Sequence, residues 1–230
     1  MKTYQIGEYK CDLIAGVDQK IDTLTYMIYP GIEPLPGDWL GRMASESGGA
    51  IAVVYVPAPL WNDSLTPWPE PGETPDAPPF GGKAQEFLQE LEQKIIPALE
   101  SRLERGEGFK RNLIGVSLSG LFALWQWIQN DTFTSIACLS GSFWYAGFME
   151  WFDAMPVPEK QGRAYFLLGR KEPEAHVRAF RSVGENTQMI VERLKSSGIP
   201  VEFEWVAGDH FSDPLGRARL AFINLYNASE

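Results

Sequence analysis

Residues 112–125, with the sequence NLIGVSLSGLFALW, decide the fold of this chain. An apolar run enters a short Gly/Ser turn, and apolar residues at spacings of three and four follow it, which predicts a strand, a tight turn and a helix. Ser117 stands at the apex of the turn. Such a turn exposes a serine hydroxyl at the carboxyl edge of a sheet and aims the helix N-terminus at a developing oxyanion. The stretch therefore predicts a nucleophile elbow around Ser117.

The pentad around Ser117 reads G-V-S-L-S and departs from the usual G-x-S-x-G pattern. Small residues are needed in an elbow because the strand and helix backbones approach closely there. Ser119 occupies the place of the second glycine, and Gly120 comes one residue later. Because small residues and serine are common in loops, the pentad alone is weak evidence for catalysis, and other residues must supply the partners.

Length, charge and composition restrict the classes of function. A chain of 230 residues suits one α/β domain over residues 1–230. The net charge of −10 argues against nucleic-acid and anionic-membrane partners. Residues 1–15 have no signal-peptide core, and no window has the ~18 apolar residues of a membrane span, so we expect a cytoplasmic protein. Whether it forms a homo-oligomer stays open.

Motifs for bound metals and nucleotides are missing from the sequence. Cys11 and Cys138 lack C-x-x-C spacing, and Cys138 lies in an apolar run that is typical of a core. There is no H-E-x-x-H, no G-x-G-x-x-G after a strand and no P-loop. We therefore predict no metal and no cofactor.

Strand and helix patterns alternate along most of the chain, which indicates an α/β fold. An open, mostly parallel sheet with helices on both faces collects functional groups at the carboxyl ends of its strands. Pro97 predicts a kink near Ile96 in the helix expected over 83–105. The predicted strands are 24–29, 51–56, 134–139, 163–168 and 201–206, and further helices are expected at 39–47, 187–197 and about 213–227.

A proline-rich segment at 57–82 interrupts this alternation. It carries Trp61, Trp68 and Phe80 among eight prolines. A solvated linker between domains would not normally contain such aromatic residues. We therefore expect an ordered loop near the mouth of the active site, stiffened by its prolines.

The chain has two histidines, so a histidine base must be one of them. His210 follows the last predicted strand, where a parallel sheet brings it to the same edge as Ser117. His176 lies in a polar segment and is typical of a surface residue.

A triad acid should follow the strand that ends at Gly169. Glu172 is the first choice and Glu174 the alternative, because a carboxylate there could accept the Nδ1 proton of the base. Solvated ion pairs with the neighbouring basic residues remain a competing interpretation. Asp153 and Asp209 fit less well by position.

Five short stretches together resemble the "Putative esterase" family of α/β-hydrolases, which includes enterochelin, ferric-siderophore and esterase D-like enzymes. The resemblance implies the α/β-hydrolase fold and a serine esterase with Ser117 as nucleophile and His210 as base. Some members of the family work with little help from an acid, so the role of Glu172 stays open. The stretches are LTPW at 65–68, GVSLSGLFAL at 115–124, SGSFW at 140–144, GRKE at 169–172 and GDHF at 208–211.

The implied reaction is acyl transfer from a small-molecule ester to water. The Leu118 amide and a second amide from Gly31 or Ile32 would form the oxyanion hole. Trp61, Trp68 and Trp144 are candidates for the substrate pocket, although packing beneath loops explains them equally well. A non-catalytic ligand- or protein-binding module with the same fold, or an acyltransferase, remains an alternative.

Overall fold

The computed structural model describes residues 1–15, 20–29 and 51–226, together with Asp38 and Arg42. The remainder of the predicted helix at 39–47 and both candidate oxyanion residues, Gly31 and Ile32, lie outside the described residues.

The described strands form an eight-stranded sheet in the order β1-β2-β4-β3-β7-β8-β9-β10 and a separate two-stranded ribbon of β5 and β6. Strand β2 is antiparallel to both of its neighbours, β1 and β4, and the other six strands of this sheet, β4, β3, β7, β8, β9 and β10, run parallel to one another. The strands are β1 (Lys2–Ile6), β2 (Tyr9–Ala15), β3 (Ile21–Tyr29), β4 (Ile51–Pro57), β5 (Pro69–Glu70), β6 (Phe80–Gly81), β7 (Arg105–Val116), β8 (Ser135–Leu139), β9 (Ala164–Gly169) and β10 (Val201–Val206).

Helices cover both faces of the sheet, as the strand and helix pattern predicts. Alternate residues of a strand point to opposite faces. Leu113 of β7 accordingly packs in one buried cluster and Ile114 in the other. The helices are α1 (Trp61–Ser64), α2 (Ala84–Glu90), α3 (Ile96–Glu100), α4 (Leu118–Gln129), α5 (Phe148–Ala154), α6 (Val183–Ser196) and α7 (Pro214–Tyr226). Buried residues of α2, α4 and α6 join the first cluster, and those of α7 join the second.

The predicted helix at 83–105 is wrong at its C-terminal end. The structure replaces its middle by a π-helical turn over Leu91–Ile95, where the Ile96 amide donates to the Leu91 carbonyl. This wider turn stands directly before Pro97, which has no amide hydrogen to continue the α-helical ladder. Helix α3 ends at Glu100, and β7 begins at Arg105, seven residues before the predicted start.

The carboxyl ends of four neighbouring parallel strands meet at one edge of the sheet. Val116 of β7 pairs with Leu139 of β8, Leu139 pairs with Leu167 of β9, and Val206 of β10 pairs with Gly169. The segments that follow these strands therefore lie side by side. They carry the predicted nucleophile, acid and base.

None of the helices within the described ranges has the length and apolar character needed to cross a membrane.

Both cysteines are buried in the core, as the sequence predicts for Cys138. Burial raises the pKa of the Cys11 thiol to about 12 and raises that of the Cys138 thiol as well.

Reaction with disulfide reagents needs an accessible thiolate. We expect the native protein to release almost no thionitrobenzoate from Ellman's reagent, whereas urea-unfolded protein should release two equivalents. Rapid labelling of either thiol under native conditions would contradict this packing.

Candidate active site

Ser117 sits at a strained turn between β7 and α4. Its backbone has φ 58° and ψ −121°, a conformation that costs a non-glycine residue of order 1–3 kcal/mol. The Ser117 carbonyl accepts hydrogen bonds from the amides of Gly120 and Leu121 at 3.0 and 3.1 Å, and these bonds begin the helix. The Leu118 amide lies in the first turn, where amides have no partner within the helix. The predicted strand, elbow and helix are therefore present.

Ser119 joins the elbow to the neighbouring strand. Its hydroxyl accepts a hydrogen bond from the Val116 amide at 2.7 Å and lies 2.7 Å from the Ile28 carbonyl of β3, to which it can donate. The side chain is fully buried. Nearby, a Cβ on Gly115 would lie 2.0 Å from the Ser119 carbonyl oxygen, which explains why glycine is required at that position. Serine replaces the usual glycine at 119 because its hydroxyl binds back into the turn.

His210 and Glu172 meet at the edge of the sheet. The Nδ1 atom of His210 lies 2.9 Å from Oε2 of Glu172. Glu172 belongs to a 3₁₀ turn after β9, whereas His210 follows β10. The alternative candidates, Glu174 and His176, are both exposed, although His176 lines the same cavity as Ser117. The structure therefore brings together the pair that chain order favours.

Glu172 is buried but stays ionised because several groups donate to it. Burial by itself would raise the pKa of this carboxyl. Hydrogen bonds from His210, the Ser140 hydroxyl and the Gly169 amide outweigh burial and hold the pKa of Glu172 below its usual range. The Ser140 and Gly169 bonds are 2.6 and 2.7 Å long, and both reach Oε1.

Sequence reasoning missed two residues behind this carboxylate, Ser140 and Arg217. Arg217 of α7 is buried, and its Nη1 atom donates to the Ser140 hydroxyl at 2.7 Å and to Glu172 Oε1 at 3.2 Å. Ser140 directly follows β8 and has a left-handed φ of 50°. Its place after a parallel strand is a signal that chain order could have used. Arg217, by contrast, lies seven residues beyond His210 on a helix and has no such signal.

Ser117, Glu172 and His210 line one cavity of about 1060 Å³. In the part of the chain that the structure describes, the Ser117 hydroxyl contacts Ser142 Oγ at 3.3 Å and makes no hydrogen bond with His210. Such catalytic hydrogen bonds are often long in unliganded enzymes and tighten when substrate binds. Transfer of the serine proton to His210 would require these two side chains, which line the same cavity, to approach each other.

Aromatic side chains form much of the cavity wall. Trp61 and Phe80 come from the 57–82 segment, and Trp144 packs against Phe180 with ring centroids 4.4 Å apart and ring planes tilted by 44°. Phe211 lies beside His210 and is 86% exposed. An apolar ester group would find hydrophobic contacts on this wall.

Trp68 has a different environment from the other two predicted tryptophans. It packs against Tyr145 and Trp151 and donates from Nε1 to the Ala146 carbonyl at 2.9 Å. The Tyr145 hydroxyl donates in turn to the Trp68 carbonyl. Trp68 thus attaches the 57–82 segment to the loop after β8 instead of lining the cavity.

The sheet order, the strained serine turn and the residues after β9 and β10 define an α/β-hydrolase fold. The family model described as "Putative esterase" matches residues 36–213, and the chain belongs to this family. The resemblance stated from the sequence motifs is thereby confirmed.

Individual relatives are distant. The uncharacterized protein YbbA of Bacillus subtilis is 26% identical over 138 residues, which cover 59% of this chain and 55% of YbbA. The match thus spans about half the length of this curated relative. An IroE-like serine hydrolase from Shewanella oneidensis superposes with a TM-score of 0.80 at 12% identity, covering 98% of this chain and 80% of that one. The siderophore hydrolase EstA from Aspergillus nidulans gives 0.75 at 19% identity, covering 100% and 95%. At these identities the structural likeness shows the fold.

Ser119→Ala should destabilise the protein. The substitution removes the buried hydroxyl that bonds to the Val116 amide and the Ile28 carbonyl. Leaving such groups without a partner costs about 1–3 kcal/mol in the free energy of unfolding, measured by urea denaturation. Ser196→Ala, which removes an exposed hydroxyl on α6, should change it by less than about 0.5 kcal/mol. Equal stability of the two variants would rule out the bridging role of Ser119.

Glu172→Gln should destabilise the protein in a pH-dependent manner. Because the folded-state pKa of Glu172 is lowered, its stabilising effect is present above the unfolded value of about 4.3 and is lost as pH falls through the folded value. At pH 7 we expect a loss of about 3 kcal/mol, since the variant leaves buried Arg217 without its counter-ion.

Urea denaturation at a series of pH values measures this effect. The difference between wild type and Glu172→Gln should narrow as pH falls below about 4.3, because the wild-type carboxyl then takes up a proton first in the unfolded chain and at lower pH in the folded protein. Glu174→Gln, on the exposed side of the same turn, is the matched control and should show a small difference throughout. A Glu172→Gln difference that is the same at all pH values would contradict the assignment.

Proposed function

We propose that this chain is a serine esterase that hydrolyses a carboxylic ester through an acyl-enzyme intermediate. The observation that carries the proposal is the 2.9 Å contact between His210 Nδ1 and Glu172 Oε2 on the wall of the cavity that Ser117 lines. Membership of the esterase family supports the same reaction class. Ser117 is the proposed nucleophile, His210 the base and Glu172 the acid.

The proposed mechanism follows from the orientation of His210. With its Nδ1 proton donated to Glu172, the imidazole keeps Nε2 free to accept the Ser117 hydroxyl proton. Ser117 Oγ attacks the ester carbonyl carbon, and His210 returns the proton to the departing alcohol. Water then attacks the acyl-enzyme with the same imidazole as base, which releases the carboxylic acid and restores Ser117.

The Leu118 amide is the proposed first donor of the oxyanion hole. It directly follows the nucleophile and lies at the N-terminus of α4, where the helix dipole favours negative charge. Gly31 or Ile32 is the predicted second donor.

The substrate class we propose is a small-molecule ester with an apolar or aromatic part. Trp61 and Trp144 are the proposed contacts for that part, since both line the cavity. We also propose that the chain forms one domain in which the 57–82 segment supplies part of the active-site wall. EstA is a siderophore hydrolase, so a siderophore ester belongs in the test panel beside aryl, acyl-sugar and short-chain esters.

A fluorophosphonate probe tests for an activated nucleophile. We expect a single covalent adduct on Ser117 in the folded protein, located by peptide mass spectrometry, because the probe reacts with serine hydroxyls that an adjacent base activates. Ser117→Ala should abolish labelling and reduce kcat for chromogenic esters by about 10⁴-fold or more.

Ser142→Ala is the matched control, because it removes the hydroxyl next to Ser117 and leaves the proposed nucleophile in place. It should keep its Ser117 adduct. Folded wild-type protein that forms no adduct would favour the non-catalytic binding module. If added alcohols compete with water for the acyl group, the chain is better described as an acyltransferase.

A further inference from the structure

The side chain of Arg217 contacts Glu172 directly and also contacts the backbone of Asp209, the residue before His210. One amino group of its guanidinium, Nη1, donates to Glu172 Oε1 and to the Ser140 hydroxyl. The other, Nη2, donates to the backbone carbonyl of Asp209, the residue before His210. A single buried side chain therefore bridges the acid and the backbone carbonyl of the residue before the base.

The backbone around Arg217 leaves a space that the guanidinium fills. A Cβ on Gly169, the last residue of β9, would lie 2.7 Å from Arg217 Nη2 and 2.7 Å from the Gly208 carbonyl oxygen. Glycine at the end of β9 thus leaves room both for the Arg217 guanidinium and for the Gly208 carbonyl. On the other side, Ser140 Oγ lies within hydrogen-bonding distance of both Arg217 and Glu172.

The charges of Glu172 and Arg217 balance each other while His210, the proposed base, is neutral. Before catalysis His210 must be neutral, so it provides no positive charge to the buried Glu172 carboxylate. An isolated buried carboxylate would take up a proton. Arg217, which is always charged, is a permanent counter-ion at 3.2 Å. Its positive charge favours the ionised form of the acid while the imidazole is still neutral, together with the Ser140 and Gly169 donors.

Stability alone is a poor explanation for this arrangement. A buried ion pair often contributes little to stability because both ions lose their hydration. Arg217 carries a further cost, because its Nε atom is buried and has no hydrogen-bond partner in the described part of the chain. Apolar residues of similar size in place of both ions would avoid both costs.

We infer that Arg217 is a positioning residue of the proposed esterase, which holds the Glu172 carboxylate ionised and fixes the backbone of His210 so that the imidazole keeps Nε2 free for Ser117. The inference rests on the proposed function. Other charged groups near the carboxylate are Asp209 before the base and, on the segment of Glu172 itself, exposed Lys171, Glu174 and His176. Among the described residues, His210 and Arg217 are the ionisable side chains in direct contact with it.

Steady-state kinetics on a chromogenic butyrate ester provide the first test. In Arg217→Gln, kcat should fall about 10- to 100-fold, while KM changes less than about 2-fold. In the plot of kcat against pH, the fall in kcat at low pH should begin at a higher pH in Arg217→Gln than in wild type. Glu172 without its counter-ion takes up a proton more readily. Arg217→Lys keeps the charge but loses the forked geometry, so its kcat should lie between that of wild type and that of Arg217→Gln.

Two controls separate positioning from general damage. Arg219→Gln changes an exposed arginine two residues along the same helix and should leave kcat within 2-fold of wild type. In a Glu172→Gln background, Arg217→Gln should lower kcat by a smaller factor than it does in wild type, since the carboxylate is already gone and only the bond to the Asp209 carbonyl is still lost. Full additivity of the two substitutions, or an Arg217→Lys variant no better than Arg217→Gln, would overturn the inference.

Histidine NMR supplies a readout that does not depend on turnover. The chain has two histidines, so ¹⁵N-histidine labelling gives two sets of ring signals, which a His176→Asn variant assigns. We expect the Nδ1-protonated tautomer of His210 in wild type and a mixture of tautomers in Arg217→Gln. Arg217→Lys allows the same comparison if Arg217→Gln does not fold.

The two readouts distinguish failure of the inference from failure of the proposed function. Wild-type protein that hydrolyses no ester, but whose His210 tautomer changes in the Arg217 variants, would refute the esterase and keep the positioning role. Normal hydrolysis and an unchanged tautomer in folded Arg217→Gln would refute the positioning role alone.

Discussion

The buried carboxylate of Glu172 is the constraint on which the edge of the sheet with the candidate active site depends. A carboxylate removed from water has to be surrounded by donors. Here the donors come from different parts of the chain: Ser140 after β8, the Gly169 amide of β9, His210 after β10 and Arg217 of α7. Three strands and a helix must therefore be correctly placed for the charge to be tolerated. The same requirement ties the geometry of the candidate base to the folding of the sheet.

Most of the catalytic candidates could be predicted because a parallel sheet converts chain order into position. Ser117, Glu172 and His210 follow β7, β9 and β10, and parallel strands bring their ends to one edge. Arg217 could not be found in this way. It points back into the edge from a helix, and its role depends on the absence of a side chain at Gly169, which no spacing along the sequence reveals.

Local patterns were least informative where tertiary contacts decide the outcome. The apolar period over 83–105 continues past Glu100, but there the chain turns and enters β7, whose N-terminal part pairs with β3. Trp61 and Trp68 both lie in the proline-rich segment, yet Trp61 lines the cavity and Trp68 packs against Trp151. Sequence composition indicates that such a segment is ordered, but it does not indicate which of the two indoles lines the cavity.

The hydroxyl of Ser119 also affects how a nucleophile elbow can be recognised from a sequence motif. The second glycine of the usual motif is small because the strand and helix backbones approach closely there. Ser119 fits the same space because its hydroxyl turns back and hydrogen-bonds to the Val116 amide and the Ile28 carbonyl. A search that demands glycine at this place would pass over the chain, although its turn has the strained backbone of a nucleophile elbow. A search pattern could instead require, at this position, enough free volume for a small side chain and a backbone donor and acceptor within its reach. Such a pattern would include Ser119 and would exclude small side chains that cannot hydrogen-bond.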